Sequence, residues 1–79
     1  MSNFGNDQSK FKLIVYLKGG QRQCFYSLLN EEKKGDEVAK KGMVRRLLDR
    51  RFKGKYQTAL MYERQTDTLL DKWIDGKKQ

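Results

Sequence analysis

The chain has 79 residues and a mass of 9.4 kDa, enough for one domain with a small core and too little for a large interdomain cleft. It has no histidine and a single cysteine, Cys24, which excludes Ser-His and Cys-His nucleophile pairs, zinc modules and internal disulfides within these residues. We therefore expect no enzyme, no metal and no cofactor. A lone cysteine fits a reducing, cytoplasmic location. No apolar run approaches the ~20 residues of a membrane span, so we expect no membrane partner.

The chain divides by composition into three parts. Residues 1–9 are polar and aperiodic and predict a flexible N-terminal arm. Residues 10–76 carry the apolar rhythm of a single folded domain, and residues 77–79 predict a polar tail.

The first half of the domain predicts a β-hairpin. Residues 10–18 and 21–29 are rich in β-formers, and Gly19-Gly20 between them is typical of a two-residue type I′ turn. That turn fixes the register. The pairs on the more apolar, core-facing side are Phe11/Leu28, Leu13/Tyr26 and Val15/Cys24, and those on the other side are Lys12/Ser27, Ile14/Phe25 and Tyr16/Gln23.

A helix is predicted from Asp36, as its N-cap, to about Phe52, with Gly54 ending it in a left-handed conformation. At about 100° per residue, one side collects most of the apolar residues, while Ala39, Arg46 and Arg50 point away from it. The apolar side consists of Val38, Val44, Leu47, Leu48 and Phe52.

Residues 55–63 and 68–74 predict a second hairpin, whose four-residue loop places Asp67 in the left-handed region. This loop pairs Tyr62 with Leu69 and Thr58 with Trp73, and leaves open which face of the hairpin is buried. The expected fold is α+β: a two-layer ββαββ domain in which one helix packs on one face of a four-stranded antiparallel sheet.

The basic residues are concentrated in one window. Residues 40–55 contain eight Lys or Arg and one acid, Asp49, and so carry +7 of the formal net charge of +8. A positive field this local attracts polyanions. The predicted nucleic-acid-binding residues are Lys40, Lys41, Arg45, Arg46, Arg50, Arg51, Lys53 and Lys55.

The sheet face away from the helix is the second candidate surface. It is expected to carry Ile14, Tyr16 and Phe25, flanked by Lys12 and Lys18. Aromatic side chains on an open sheet can stack unpaired bases while lysines hold the backbone. The alternative is that these residues lie in a second core or in a homodimer interface, and the sequence favours packing or an interface over stacking.

These patterns predict a small, basic, non-enzymatic nucleic-acid-binding protein. It would contact the phosphate backbone through the helix with weak sequence preference, on single-stranded DNA or RNA as readily as on duplex. The alternative is an interaction module or inhibitor of the kind encoded by phages and mobile elements, which docks on an acidic protein surface. Loss of the partner to heparin, with a steep salt dependence, would separate the first function from the second.

Overall fold

A computed structural model describes residues 9–79, so residues 1–8 of the arm predicted over residues 1–9 lie outside the described residues. The elements in chain order are β1 (Phe11–Leu17), β2 (Arg22–Tyr26), α1 (Leu29–Glu32), α2 (Asp36–Met43), a π-helical segment (Val44–Arg51), β3 (Tyr56–Glu63), β4 (Thr68–Ile74) and β5 (Lys77–Lys78). The π-helical segment continues α2, and together they form the long helix, residues 36–51.

The strands form one antiparallel sheet in the order β2-β1-β3-β4-β5, with the long helix against one face. The predicted α+β class with an antiparallel sheet is confirmed. The four-strand count is wrong, because part of the predicted polar tail is β5, which pairs with the end of β4. Asp75 and Gly76 both have positive φ, 51° and 85°, which suits the type I′ turn that joins these two strands. The short helix α1 lies between the predicted strand at residues 21–29 and the predicted helix, and its first residue, Leu29, was predicted to belong to that strand.

The core lies between the long helix and the alternate positions of the three central strands. The predicted core face of β1 is confirmed, since Phe11, Leu13 and Val15 are all buried. The remaining buried apolar residues are Ala39, Met43, Leu47, Leu48, Phe52, Tyr56, Ala59, Met61 and Trp73.

The register of the first hairpin differs from the prediction by one residue. The Leu17 N–H donates to the Gln21 carbonyl at 2.8 Å, and the Gly20 N–H donates to the Leu17 carbonyl at 3.0 Å. The loop therefore has three residues and ends on Gly20 at φ 93°, a left-handed position that glycine adopts without strain. A slip of one residue turns a strand over. Phe25 consequently faces the helix, and Cys24, predicted to lie opposite Val15 in the core, is exposed opposite Ile14.

The second hairpin follows the predicted register only near its loop. Tyr62 pairs with Leu69 and Asp67 has φ 56°, as predicted. A bulge between Met61 and Tyr62 then shifts the rest of the ladder. Trp73 therefore lies opposite Ala59, not Thr58, and is buried beneath the helix.

The π-helical winding changes which side of the long helix is buried. In an α-helix of about 3.6 residues per turn, two positions four apart are separated by slightly more than a full turn. The π segment is marked by an i→i+5 hydrogen bond, which the Phe52 N–H donates to the Leu47 carbonyl at 2.8 Å. In this segment, two positions four apart are separated by slightly less than a full turn. Ala39, predicted to point outward, is fully buried, while Val38, predicted to face the core, is 43% exposed.

The start of the helix is held differently from the prediction. Gly35 occupies the N-cap position, and Asp36 instead pairs with the ammonium of Lys10 at 3.1 Å. The carboxylate of Glu32 in α1 accepts hydrogen bonds from the Lys10 N–H, at 3.0 Å, and from the Ser27 hydroxyl. These hydrogen bonds and the ion pair thus fix the segment between β2 and the long helix against β1 and the end of β2.

Ser27→Ala is expected to lower the free energy of unfolding by about 1–3 kcal/mol. Ser27 is fully buried, and its hydroxyl accepts from the Phe11 N–H at 3.2 Å while it donates to Glu32. Alanine leaves that N–H and the carboxylate without this partner. Urea denaturation measures the loss, and a midpoint equal to that of the wild type would show that the hydroxyl is dispensable.

Candidate nucleic-acid interface

The arginines of the π-helical segment recur at a spacing of five residues. Arg45 and Arg50 form one pair, and Arg46 and Arg51 form the other. In an α-helix, residues five apart point about 140° away from each other. A π-helix has more residues per turn than an α-helix, so residues five apart point much more nearly in the same direction here. The winding thus arranges the four arginines in two rows, and Arg46 and Arg51 of one row line the same groove.

Five of the eight predicted binding residues form an exposed set that we call the basic ridge. Its members are Lys41, Arg45, Arg50, Lys53 and Lys55. Within residues 9–79, no ion pair involves any of them. The Lys18 N–H donates to the Lys55 carbonyl at 3.1 Å, which places Lys18 at the end of this ridge and not in a strand of the open sheet face.

The other three predicted residues have partners inside the protein. Lys40 is 2.9 Å from the carboxylate of Glu37, and their hydrogen bond and charges raise the pKa of Lys40 and lower that of Glu37. Arg51 lies against two aromatic rings, with its Cζ atom 5.4 Å from the Phe25 centroid and 5.2 Å from that of Phe52. Arg46 is the third.

Arg46 is held by α1. Its Nη1 atom lies 2.8 Å from Oε1 of Glu31, and both side chains are largely covered. A Cβ atom at Gly42 would stand 2.6 Å from that carboxylate, so the glycine leaves room for the ion pair. Arg46 therefore does not point freely outward, contrary to the prediction. A glycine on the flank of an otherwise regular helix was the sequence signal for this contact.

Shallow grooves run along the two flanks of the long helix. One, of about 490 Å³, lies toward β4 and β5, and its basic residues include Lys41, Arg45 and Lys78. Glu37, Asp49 and Asp71 also line it, so its charge is mixed. The other, of about 340 Å³, lies toward β2 and brings Arg46 and Arg51 beside Phe25, Tyr26 and Cys24, with no acid among its lining residues.

The sheet face away from the helix, which we call the open face, differs from the predicted one. Ile14, Tyr16 and Lys12 lie on it as predicted, but Phe25 does not, because of the slipped register. Read across the strands, its positions are Tyr26, Lys12, Tyr62 and Leu69 in one row, Cys24, Ile14, Leu60 and Lys72 in the next, and Arg22, Tyr16, Thr58, Ile74 and Lys77 in the third.

Two tyrosines of the open face lie beneath cations. The Lys12 ammonium is 5.3 Å from the Tyr62 ring centroid, and the Cζ atom of Arg64 is 4.6 Å from that of Tyr26. Hydrogen bonding with the Cys24 thiol raises the pKa of Tyr26 above its usual value. Sequence reasoning missed Tyr26 and Tyr62 on this face. The alternation of β3 placed Tyr62 with Leu60, but nothing local fixed which side the helix covers.

Comparison with known proteins gives no relative. No protein-family model, curated protein or solved structure matches the chain. Among the described residues, no helix has the length and apolar character to span a bilayer, and no group of three acidic or Cys residues lies close enough to hold a metal ion. The function of this chain is therefore inferred from its own surfaces.

Proposed function

We propose that this protein is a small non-enzymatic nucleic-acid-binding protein that contacts the phosphate backbone through the basic ridge. The observation that carries the proposal is the ridge itself: five exposed cations that form no ion pair within residues 9–79. Exposed cations outside such pairs are available to an external anion.

The spacing of the ridge suits a polyanion better than a single anion. Arg45 and Arg50 lie one helical turn apart, and Lys53 and Lys55 continue past the end of the helix, so several phosphates along one strand can be bound at once. Each neutralised phosphate releases condensed counterions, which is the main source of affinity in such complexes. Arginine adds bidentate hydrogen bonds to phosphate oxygens.

The ridge carries little means of reading sequence. Residues 45–52 contain neither Asn nor Gln, the side chains that read adenine bidentately. Phosphate contacts position a protein without specifying bases. Weak sequence preference is therefore part of the proposal.

Binding to labelled oligonucleotides, single- and double-stranded, DNA and RNA, at two salt concentrations tests the proposal. Five phosphate contacts predict a slope of log K against log salt of about −3 to −5, and heparin should compete. No binding to any oligonucleotide at low salt would refute the proposal. Salt-sensitive capture of an acidic protein with no oligonucleotide binding would establish the docking alternative in its place.

A further inference from the structure

The open face combines aromatic rings with positive charge. Its strand positions include Lys12, Arg22, Lys72 and Lys77, and no acidic residue occupies any of its positions in the strand register. Asp67, in the loop between β3 and β4, lies 4.0 Å from the Lys12 ammonium. Acids at the neighbouring strand positions, such as Asp71, lie on the helix side. No element of residues 9–79 covers this face, and Leu69 and Ile74 on it are 48% and 37% exposed.

The charge of this face decides between its candidate occupants. A second copy docked symmetrically through the open face would bring the same four cations toward each other, and like charges across an interface oppose association. A neutral apolar partner would leave Arg22, Lys72 and Lys77 without an anionic partner. An anion that also has flat apolar groups satisfies both features of the face.

The tyrosines are arranged as separate stacking positions. Tyr26 and Tyr62 flank Lys12 on neighbouring strands, so their backbones lie roughly 10 Å apart. Tyr16 lies four residues along β1 from Lys12, about 13 Å away. Lys12 lies over the Tyr62 ring and Arg64 over the Tyr26 ring, so a base that stacks on either of these faces takes the place of a cation.

We propose that the open face is a base-stacking platform for single-stranded nucleic acid, with bases on Tyr16, Tyr26 and Tyr62 and phosphates on Lys12 and Arg22. This inference rests on the proposed function and adds its substrate class. Only unpaired bases can leave their neighbours to stack on protein rings, so duplex does not use this face.

A groove beside the edge strand β2 connects the open face with Arg46 and Arg51 of the long helix, the chain neighbours of the ridge residues Arg45 and Arg50. The 340 Å³ groove is lined by Tyr26 and Cys24 of the open face and by Arg46 and Arg51 of the helix. A flexible single strand can follow this groove from one layer to the other. A rigid duplex cannot bend around one strand edge, so it is left with the ridge alone.

The test compares a labelled oligothymidylate with an abasic oligonucleotide of the same length, which keeps the phosphates and lacks the bases. Wild-type protein should bind the oligothymidylate about tenfold or more tightly than the abasic strand. Tyr16→Ala with Tyr62→Ala should remove most of that difference and leave abasic binding unchanged. The matched control, Tyr16→Phe with Tyr62→Phe, keeps the rings and should keep the difference.

Equal binding of both probes by the wild type would refute the platform while the proposed function stands; binding of neither would refute both. Bromouracil cross-linking followed by mass spectrometry needs no variant, so it decides the matter even if the alanine variant fails to fold. Cross-links at Tyr16, Tyr26 or Tyr62 support the platform, and cross-links confined to residues 41–55 overturn it. A dimeric mass in solution, lost in the alanine variant while its abasic binding also falls, would assign the face to a second copy.

Discussion

Reversing Arg45 and Arg50 together, as Arg45→Glu with Arg50→Glu, is expected to weaken oligonucleotide binding on the order of a thousandfold at low salt. Each reversal removes one attraction and adds one repulsion, each worth about 1 kcal/mol at contact distance in water. The salt slope should become shallower by about 2 for a duplex, because two phosphate contacts are lost. Both side chains are exposed, so the thermal midpoint should hardly change. Fluorescence anisotropy over a salt series measures both quantities.

The control for this variant is Lys33→Glu with Lys34→Glu. These lysines are exposed, lie before the long helix and outside the basic ridge, and change the net charge by the same amount. The control should lose much less affinity than the ridge variant. Equal losses would mean that binding follows net charge and has no site, and wild-type affinity in the ridge variant would remove the ridge from the proposal.

Arg46 is a poor choice for the same experiment, although the sequence placed it beside Arg50 on the outer side. Arg46→Glu would set a second carboxylate against Glu31, at the position where the guanidinium now lies 2.8 Å away. A loss of affinity in that variant would not distinguish unfolding of the protein from the loss of phosphate contacts. The structure thus moves the informative pair from Arg46 and Arg50 to Arg45 and Arg50.

Sequence patterns predicted the strands and the helix well, because each has a clear period or a clear end. β4 spans residues 68–74 as predicted, and Gly54, at φ 72°, follows the long helix in the left-handed conformation expected of it. The pairing of strands was harder. Gly19-Gly20 fits a two-residue turn, but the chain uses a three-residue loop. Polar and apolar residues do not alternate strongly enough along β2 to exclude the resulting one-residue shift in register.

The candidate surfaces were predictable to different degrees for related reasons. The basic window can be predicted from composition alone, and five of its eight basic residues form the exposed basic ridge in the folded protein. The open face depends on register, so one slipped residue exchanged Phe25 for Tyr26 and Cys24. Lys40, Arg46 and Arg51 contact acidic or aromatic side chains within the protein. These contacts depend on how the elements pack together, which the local sequence does not show.

Leu48→Ala is expected to lower the free energy of unfolding by about 2–4 kcal/mol. Leu48 is 3% exposed at the middle of the buried side of the long helix, and a core this small has few neighbours able to move into the cavity. Val38→Ala is the matched control, because Val38 was predicted to face the same core but is 43% exposed, and its loss should cost well under 1 kcal/mol. Urea denaturation of both variants gives the comparison. A loss for Val38→Ala comparable to that for Leu48→Ala would mean that the helix packs by the side predicted for a regular α-helix, and the two arginine rows that depend on the π winding would be lost with it.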